Sequence, residues 1–546
     1  MPFGSIPKHL LRAFQRKPAS AALKRIGLAG LTLAVLGACE ASREPGVIAP
    51  VEGFAGLVAG DEPRAVTIGR DILGNGGSAA DAAAAMYFTM TATLPSRVGM
   101  ASSGVCLVHN AGLMRDDATV QTEVYEFLPE PGKADGLQLA GPRAMAVMHA
   151  RHGLARWGML LNDAERLSRV GNSVSRAFAR DIQAAAAFVS ADPALRQLLS
   201  NRAGVLASEG DVLVFSELSG TISGLRRQGA GYLYGGAYAN RFVEAAQASG
   251  VSIAIEDLRQ MLPRVSEPLT VPFGDNVAYF PTNDGGLTTA QMWGMLTEVE
   301  RYAGRNPVEK AHLLAEASQR SFALRGTWLG QGGTQASANL VSEAHLAQLL
   351  TGYSGQQHNK LAVEGASPQT VSNPFSAGIV VADRWSNAVA CSFSMNGLFG
   401  AGRLVPGTGI LLPKPAAPGA NSLSVGIVAN PFNGNVYLAG TASGGLAAPA
   451  ALARVMLEGI EPEASIEDAL RAPRLVNVAS PDVTFYEPDL EDSVLAGLRQ
   501  RGHTLQPEAE VGRANAFKCP IGLRTDDLSC VVDTDRRGHG LAVRVQ

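Results

Sequence analysis

The chain has 546 residues, an apolar fraction of 46% and a formal net charge of −3, enough to build a large buried core as one big domain or several smaller ones. No basic stripe interleaved with aromatics runs through it, which removes the electrostatic case for a nucleic-acid partner. Its 61 glycines lie inside apolar segments, so they indicate tight turns and close packing of helices on strands and argue against disorder.

Residues 1–38 read as an export signal: Lys8, Arg12, Arg16, Lys17, Lys24 and Arg25 precede the apolar run Ile26–Leu36, short for a membrane span. Leu36-Gly37-Ala38-Cys39 resembles the lipobox of bacterial lipoproteins. That implies cleavage before Cys39, lipidation of its thiol and residence in the cell envelope or periplasm, with membrane contact only through the N-terminal lipid. An ordinary signal peptide ending near a cysteine is the other reading. Residues 39–50 form a short tether.

Farther on, Ala65, Ile68 and Ile72-Leu73 recur at helical spacing, Gly74–Gly77 breaks the helix, and Ser78 caps a second one over Ala79–Met86. That glycine loop has no Lys-Ser/Thr and no preceding strand pattern, so it makes a poor phosphate loop. Residues 141–229 are mostly helical, with Ala184–Ala187 as a packed helix face. Glu316, Arg320 and Arg325 fall on a further helix whose Leu313, Leu314, Ala317 and Phe322 suit burial; those charges are either structural ion pairs or catalytic groups. Residues 352–370 read as a mobile connection. Besides Cys39 the cysteines are Cys106, Cys391, Cys519 and Cys530. Cys519 and Cys530 flank a short loop that either closes as a disulfide or leaves two buried thiols. None has metal-ligand spacing with a histidine and the nine histidines are scattered, so neither a metal site nor a cofactor is expected.

The most informative stretch is 373–396. Ile379–Ala382 and Val389–Met395 suit strands, and Asp383, Ser386 and Asn387 between them are turn formers, which predicts a β-hairpin centred near Trp385. Ser392, Ser394 and Asn396 then share one face of the second strand. Folding about Trp385 sets Ser376 opposite Ser394, a candidate nucleophile cluster, although such serines can equally well line a sheet.

Gly76-Gly77-Ser78-Ala79-Ala80-Asp81-Ala82-Ala83 and Pro95-Ser96-Arg97-Val98-Gly99-Met100-Ala101-Ser102-Ser103-Gly104-Val105-Cys106 resemble the opening signatures of the γ-glutamyltransferase (γ-glutamyltranspeptidase) family of N-terminal nucleophile hydrolases, with Ala101-Ser102-Ser103 in place of a glycine run. The likeness continues through Tyr234–Ala239, Ile255–Leu258, Asn283-Asp284-Gly285-Gly286, Asp383 with Asn387-Ala388-Val389, Gly409–Leu412, Asn421–Ser424, Ala442-Ser443-Gly444-Gly445, Ala472-Pro473-Arg474, Gly502-His503 and Asp533–Gly538.

The resemblance implies an α+β, four-layer αββα fold with two central antiparallel sheets flanked by helices. It also implies self-cleavage between Phe375 and Ser376 into a large portion (51–375) and a small portion (376–546) that stay associated as one domain. It assigns Ser376 as nucleophile, Ser394 and Asn396 as its orienting groups, Gly444 and Gly445 as the oxyanion site, and Ser392, Asn421, Ser422 and Phe127 as substrate contacts. The amine freed on Ser376 would act as base for its own hydroxyl. Phe127 stands where the family has the arginine that clamps a glutamyl α-carboxylate, and Pro413–Pro418 replaces the region of the aspartate that clamps its α-amine. Each charge-assisted bond is worth about 1.5–3 kcal/mol, so glutamyl recognition should be weak. The expected substrate is a small-molecule amide or peptide. The readings open at this point are a γ-glutamyltransferase-like amidase, an acylase for a non-glutamyl group, and a non-catalytic envelope lipoprotein that keeps the fold as a binding module.

Overall fold

A computed structural model describes residues 46–546 except 115–118, 130–136, 138, 300, 331–332, 335, 362, 364–370, 372, 374 and 416–421. The expected leader, Cys39, most of the tether and Asn421 therefore lie outside the described residues. The elements that matter for the site are, in chain order, β1 (Gly56–Gly60), α1 (Pro63–Gly74), α2 (Ala79–Thr93), β2 (Ser103–Asn110), β3 (Gln121–Phe127), β4 (Arg264–Ser266), β5 (Leu269–Phe273), β6 (Asn276–Phe280), α3 (Asp284–Gly294), α4 (Pro307–Ala323), β7 (Ser376–Asp383), β8 (Ala388–Ser394), β9 (Ser424–Ala429), β10 (Val436–Ser443), α5 (Ala448–Gly459), β11 (Arg513–Lys518), β12 (Val531–Thr534) and β13 (Leu541–Val545).

Local sequence explains the helix starts. Glu62 accepts the Ala65 N–H at the head of α1, where Pro63 occupies a position that needs no donor. Ser78 and Asp81 form a reciprocal capping box on α2. Every residue of α2 is buried, and its run of alanines lets it lie close to its neighbours; it extends seven residues past the expected end. Ala184–Ala187 departs from expectation. The first of two short helices ends at Ala184 and the second begins at Ala186, with Ala184 and Ala187 exposed.

Two antiparallel sheets carry the molecule. The first runs β13-β1-β7-β8-β2-β3-β4 and the second β12-β11-β10-β9-β6-β5. Alternation along each strand sorts side chains into three apolar layers. Ile379, Val381, Val389, Cys391 and Phe393 pack on α1, α2 and the helices of 141–261. Val380, Ala382, Ala390, Val425 and Ile427 fill the space between the sheets. Leu438, Ala442, Val428 and Ala278 pack on α3, α4 and α5. This is the four-layer αββα arrangement. Strands from either side of residue 376 interleave in it: β1 lies between β13 and β7, and β2 lies beside β8.

Buried ion pairs lock distant segments. Arg97, just after α2, forks onto Asp181 at 2.7 Å with both side chains almost fully buried, and Ser96 bonds the same carboxylate. Arg474 meets Asp535 at 2.6 Å, joining two of the matched motifs. Among the described residues no helix is long and apolar enough to cross a membrane. Replacing Asp181 by alanine would leave the Arg97 guanidinium buried without its forked partner; we expect a loss of about 3–5 kcal/mol in unfolding free energy by urea titration, whereas a surface pair such as Arg166–Asp163 should cost under about 1 kcal/mol.

Candidate active site

The 373–396 hairpin forms in the expected register. Ser376 pairs with Ser394 and Gly378 with Ser392, and β8 continues onto β2 so that Ser103 stands beside Ser394. The turn is held by Asp383, whose buried carboxylate accepts the N–H groups of Ala79, Trp385 and Asn387 and the Asn387 amide. Burial nevertheless pushes that carboxyl up to about 6. One residue of slip would turn Ser376 and Ser394 to the opposite face.

Ser376, Ser392 and Ser394 point into the space between the sheets. Ser394 Oγ donates to the Phe375 carbonyl oxygen at 3.1 Å and accepts the Asn396 backbone N–H at 3.0 Å. From the second sheet, the Gly444 N–H donates to Ser376 Oγ at 3.3 Å. Both sides of the Phe375–Ser376 peptide are therefore gripped, the carbonyl by one sheet and the hydroxyl by the other. Gly444 has φ 126° and a Cβ there would lie 2.6 Å from Gly512 Cα, so only glycine fits. A Cβ on Gly445 would press on the Asn373 side chain, which accepts the Phe375 N–H at 3.1 Å. Asp61, following β1, steadies β7: it accepts the Gly378 N–H at 2.8 Å and the Asn515 amide at 3.1 Å.

Other expected contacts fall elsewhere. Asn396, in the left-handed region at φ 60°, reaches Ser394 through its backbone, while its side-chain amide donates to the Lys414 carbonyl at 3.0 Å. Ser392 is fully buried and bonds across the sheets to the Ala442 carbonyl at 3.4 Å, so it ties the sheets together and has no face left for substrate. Phe127 is a correction. Its ring packs with Tyr87 and Phe393 against Gly104 and Gly141, on the helix side of the first sheet and away from Ser376. Its neighbours Glu126 and Leu128 face the inter-sheet space instead, Glu126 held by Arg264 and by the Thr282 hydroxyl at 2.8 Å. Ser422 is 2% exposed, its hydroxyl shared between Asp284 at 3.0 Å and Arg325 at 2.9 Å. In the sequence Ser103 stands only as part of the altered glycine run. Among the described residues its buried hydroxyl has no hydrogen-bond partner, and it stands in the cross-strand row of Ser394 and Ser376.

A family model described as gamma-glutamyltranspeptidase matches residues 65–416 and 414–543. The chain is 25% identical to a glutathione hydrolase proenzyme of Bacillus subtilis (strain 168), over 90% of this chain and 92% of that one. It is 27% identical to an acylase ACY 1 proenzyme of Pseudomonas sp. (strain V22), over 86% and 90%. The crystal structure of a cephalosporin acylase from Bacillus halodurans superposes with a TM-score of 0.72 at 20% identity, over 93% of this chain and 99% of that one, which supports the fold.

The histidines, scattered in sequence, partly converge where α4 meets the 482–503 region. His312, Glu316 and His503 bring donor atoms within 4.8 Å of one another. Hydrogen bonding already accounts for them. His312 Nε2–H donates to the Ser354 carbonyl, so His312 Nδ1 accepts from His503 Nε2–H, and the Thr484 hydroxyl donates to His503 Nδ1. That pattern is the one two neutral rings make, and the neutral forms are favoured: burial, then the nearby His358, His312 and Arg501, depresses His503 to about 3, and burial lowers His312. Glu316 is taken by Arg320 and His358, so a cation would have to displace both. Glu316 and Arg320 thereby resolve as a structural pair.

His358 bonds Glu316 with one nitrogen and Asp482 with the other, so both nitrogens carry protons. Burial alone would lower its pKa, but bonds to the two carboxylates outweigh that and raise it above 6.5. The 354–358 segment, read from sequence as mobile, is therefore pinned. Because the folded pKa is raised, the pinning is complete below about 6.5 and is lost as pH rises through the folded value. Hydrogen exchange of 354–358, corrected for intrinsic rates, should speed up on the alkaline side in the native chain and show no such step in His358→Gln; pH-independent protection in the native chain would contradict this.

Proposed function

The chain belongs to the gamma-glutamyltranspeptidase family, and from that premise we propose that it is a self-cleaving amide hydrolase or acyl transferase whose nucleophile is Ser376. The observation that carries this reading is the pair of contacts on one peptide bond: Ser394 on the Phe375 carbonyl at 3.1 Å, and Gly444 on the Ser376 hydroxyl at 3.3 Å. Ser376 Oγ adds to the Phe375 carbonyl carbon as Ser394 stabilises the developing oxyanion. The C–N bond breaks, nitrogen takes the hydroxyl proton, and water hydrolyses the ester to a Phe375 carboxylate and a free Ser376 amine. That amine, with a pKa of about 7.7–8.0, then serves as base for its own hydroxyl, so no histidine is required. In the substrate reaction the Gly444 and Gly445 backbone is the candidate oxyanion site, where glycine permits close approach.

We assign the acyl group to a class other than free γ-glutamyl. Phe127 turns its ring into the helix layer and offers no cation to an α-carboxylate. In the region where the family carries an aspartate this chain has Lys414, which offers no carboxylate to an α-ammonium. The similarity to an acylase proenzyme favours the same direction. The lipobox-like Cys39 supports an exported, lipid-anchored protein, and the two disulfides of the fold, Cys106–Cys391 and Cys519–Cys530, suit an oxidising compartment.

Purified protein analysed by mass under reducing conditions should appear as two chains, the smaller beginning at Ser376. Ser376→Ala should remain one chain, and Ser394→Ala should slow scission by roughly 10²–10³-fold, as for loss of one oxyanion donor. A single native chain that never splits would favour a non-catalytic binding module instead. Turnover of a γ-glutamyl anilide should be far slower than that of an anilide whose acyl group lacks the α-ammonium; the opposite ranking would refute the substrate assignment.

A further inference from the structure

Two disulfides join β-strand segments, and they differ in one respect. Cys519–Cys530 lies wholly after residue 376. Cys106–Cys391 joins β2, which precedes the expected scission point, to β8, which follows it, across 285 residues of sequence. Cys391 lies three residues before Ser394 on the strand that orients the nucleophile, and Cys106 three residues after Ser103, with both sulfurs on the helix side of the first sheet.

We propose that Cys106–Cys391 is an inter-chain bond of the mature protein, so that self-cleavage yields two chains covalently tied through the central strands of the first sheet. This rests on the scission reading above. The order of events follows from burial. Both cysteines are 0% exposed in directly paired strands, so the bond forms as β2 and β8 come together. Two thiols give up two protons and two electrons to a thiol–disulfide oxidant of the exporting compartment. Scission breaks only the C–N bond between Phe375 and Ser376 and leaves the S–S bond intact.

The link is not what holds the native halves together. β1 is already clasped between β13 and β7, and β8 is paired with β2 along seven residues. Its consequence appears on unfolding. Without it the nucleophile-bearing chain can diffuse away, and refolding becomes a second-order encounter. With it the two chains keep an effective concentration set by the bond and not by dilution. Because the sulfurs are buried, reductant should reach them only when the sheet opens.

The test uses the mature full-length protein, purified without reductant and with free thiols alkylated. In denaturing detergent without reductant, one species with the mass of the uncut exported chain plus one water is expected. With reductant it should separate into the 376–546 chain and its larger partner. Cys519→Ala/Cys530→Ala should stay linked, while Cys106→Ala/Cys391→Ala should separate without reductant; should that variant fail to fold, reduction of the native protein in denaturant supplies the same comparison. On refolding from denaturant, tenfold dilution should leave the yield of the linked form unchanged and lower that of the reduced form. Two separate chains in the absence of reductant would overturn the proposal while leaving scission intact. A single chain after reduction would overturn the scission reading, and the linkage with it.

Discussion

The Phe375–Ser376 peptide is held from two directions at once, and that double hold requires the whole sandwich. Ser394 can reach the Phe375 carbonyl only if β7 and β8 pair in the register that sets Ser376 against Ser394. Gly444 can reach the Ser376 hydroxyl only if the second sheet approaches closely enough at the same end. That approach is set by glycine: a Cβ on Gly378 would meet Thr441 Oγ1 at 2.5 Å. Thr441 instead donates to the Cys391 carbonyl and Ser392 to the Ala442 carbonyl, so the sheets are stitched next to the nucleophile by hydroxyl-to-carbonyl bonds. Buried polar groups cost little when paired in this way and specify a single arrangement.

Charge is distributed differently. The immediate neighbours of Ser376 are hydroxyls, amides and backbone, with Asp61 on the Gly378 N–H. The ionised groups at this end, Glu126 with Arg264 and Asp284 with Arg325, are paired with each other and with Thr282 and Ser422. Arg264 and Arg325 are thus committed to protein carboxylates. On the function proposed above, that suits an acyl group recognised by shape and hydrogen bonding more than by a free amino-acid head.

Connection between the halves is built into the topology. Strands before and after residue 376 alternate across the first sheet, so neither half owns a complete sheet edge to edge. The segment that approaches the cut is anchored in turn through Ser354 and His358 to α4 and to the 482–503 region. A cut at Phe375–Ser376, as proposed above, would therefore change covalent structure at one point without dissolving the layers around it.

The amino-acid sequence by itself determined what short-range chemistry controls. The hairpin register follows from alternation and turn formers within about two dozen residues, and the α1 break and the Ser78 cap from a glycine run and a hydroxyl. The short loop between Cys519 and Cys530 allowed either a disulfide or two thiols, and the structure closes the bond. The four-layer class was legible because matched motifs extend over the whole chain. Tertiary structure alone decided which face of β3 looks into the inter-sheet space, and so put Glu126 on it and Phe127 behind it. Only tertiary structure joined Cys106 to Cys391 and gathered His312, His358 and His503 into one cluster. The physical reason is the same in each case. Such contacts depend on the relative register of elements far apart in the chain, where a shift of one residue reverses a side chain and nothing local records the choice.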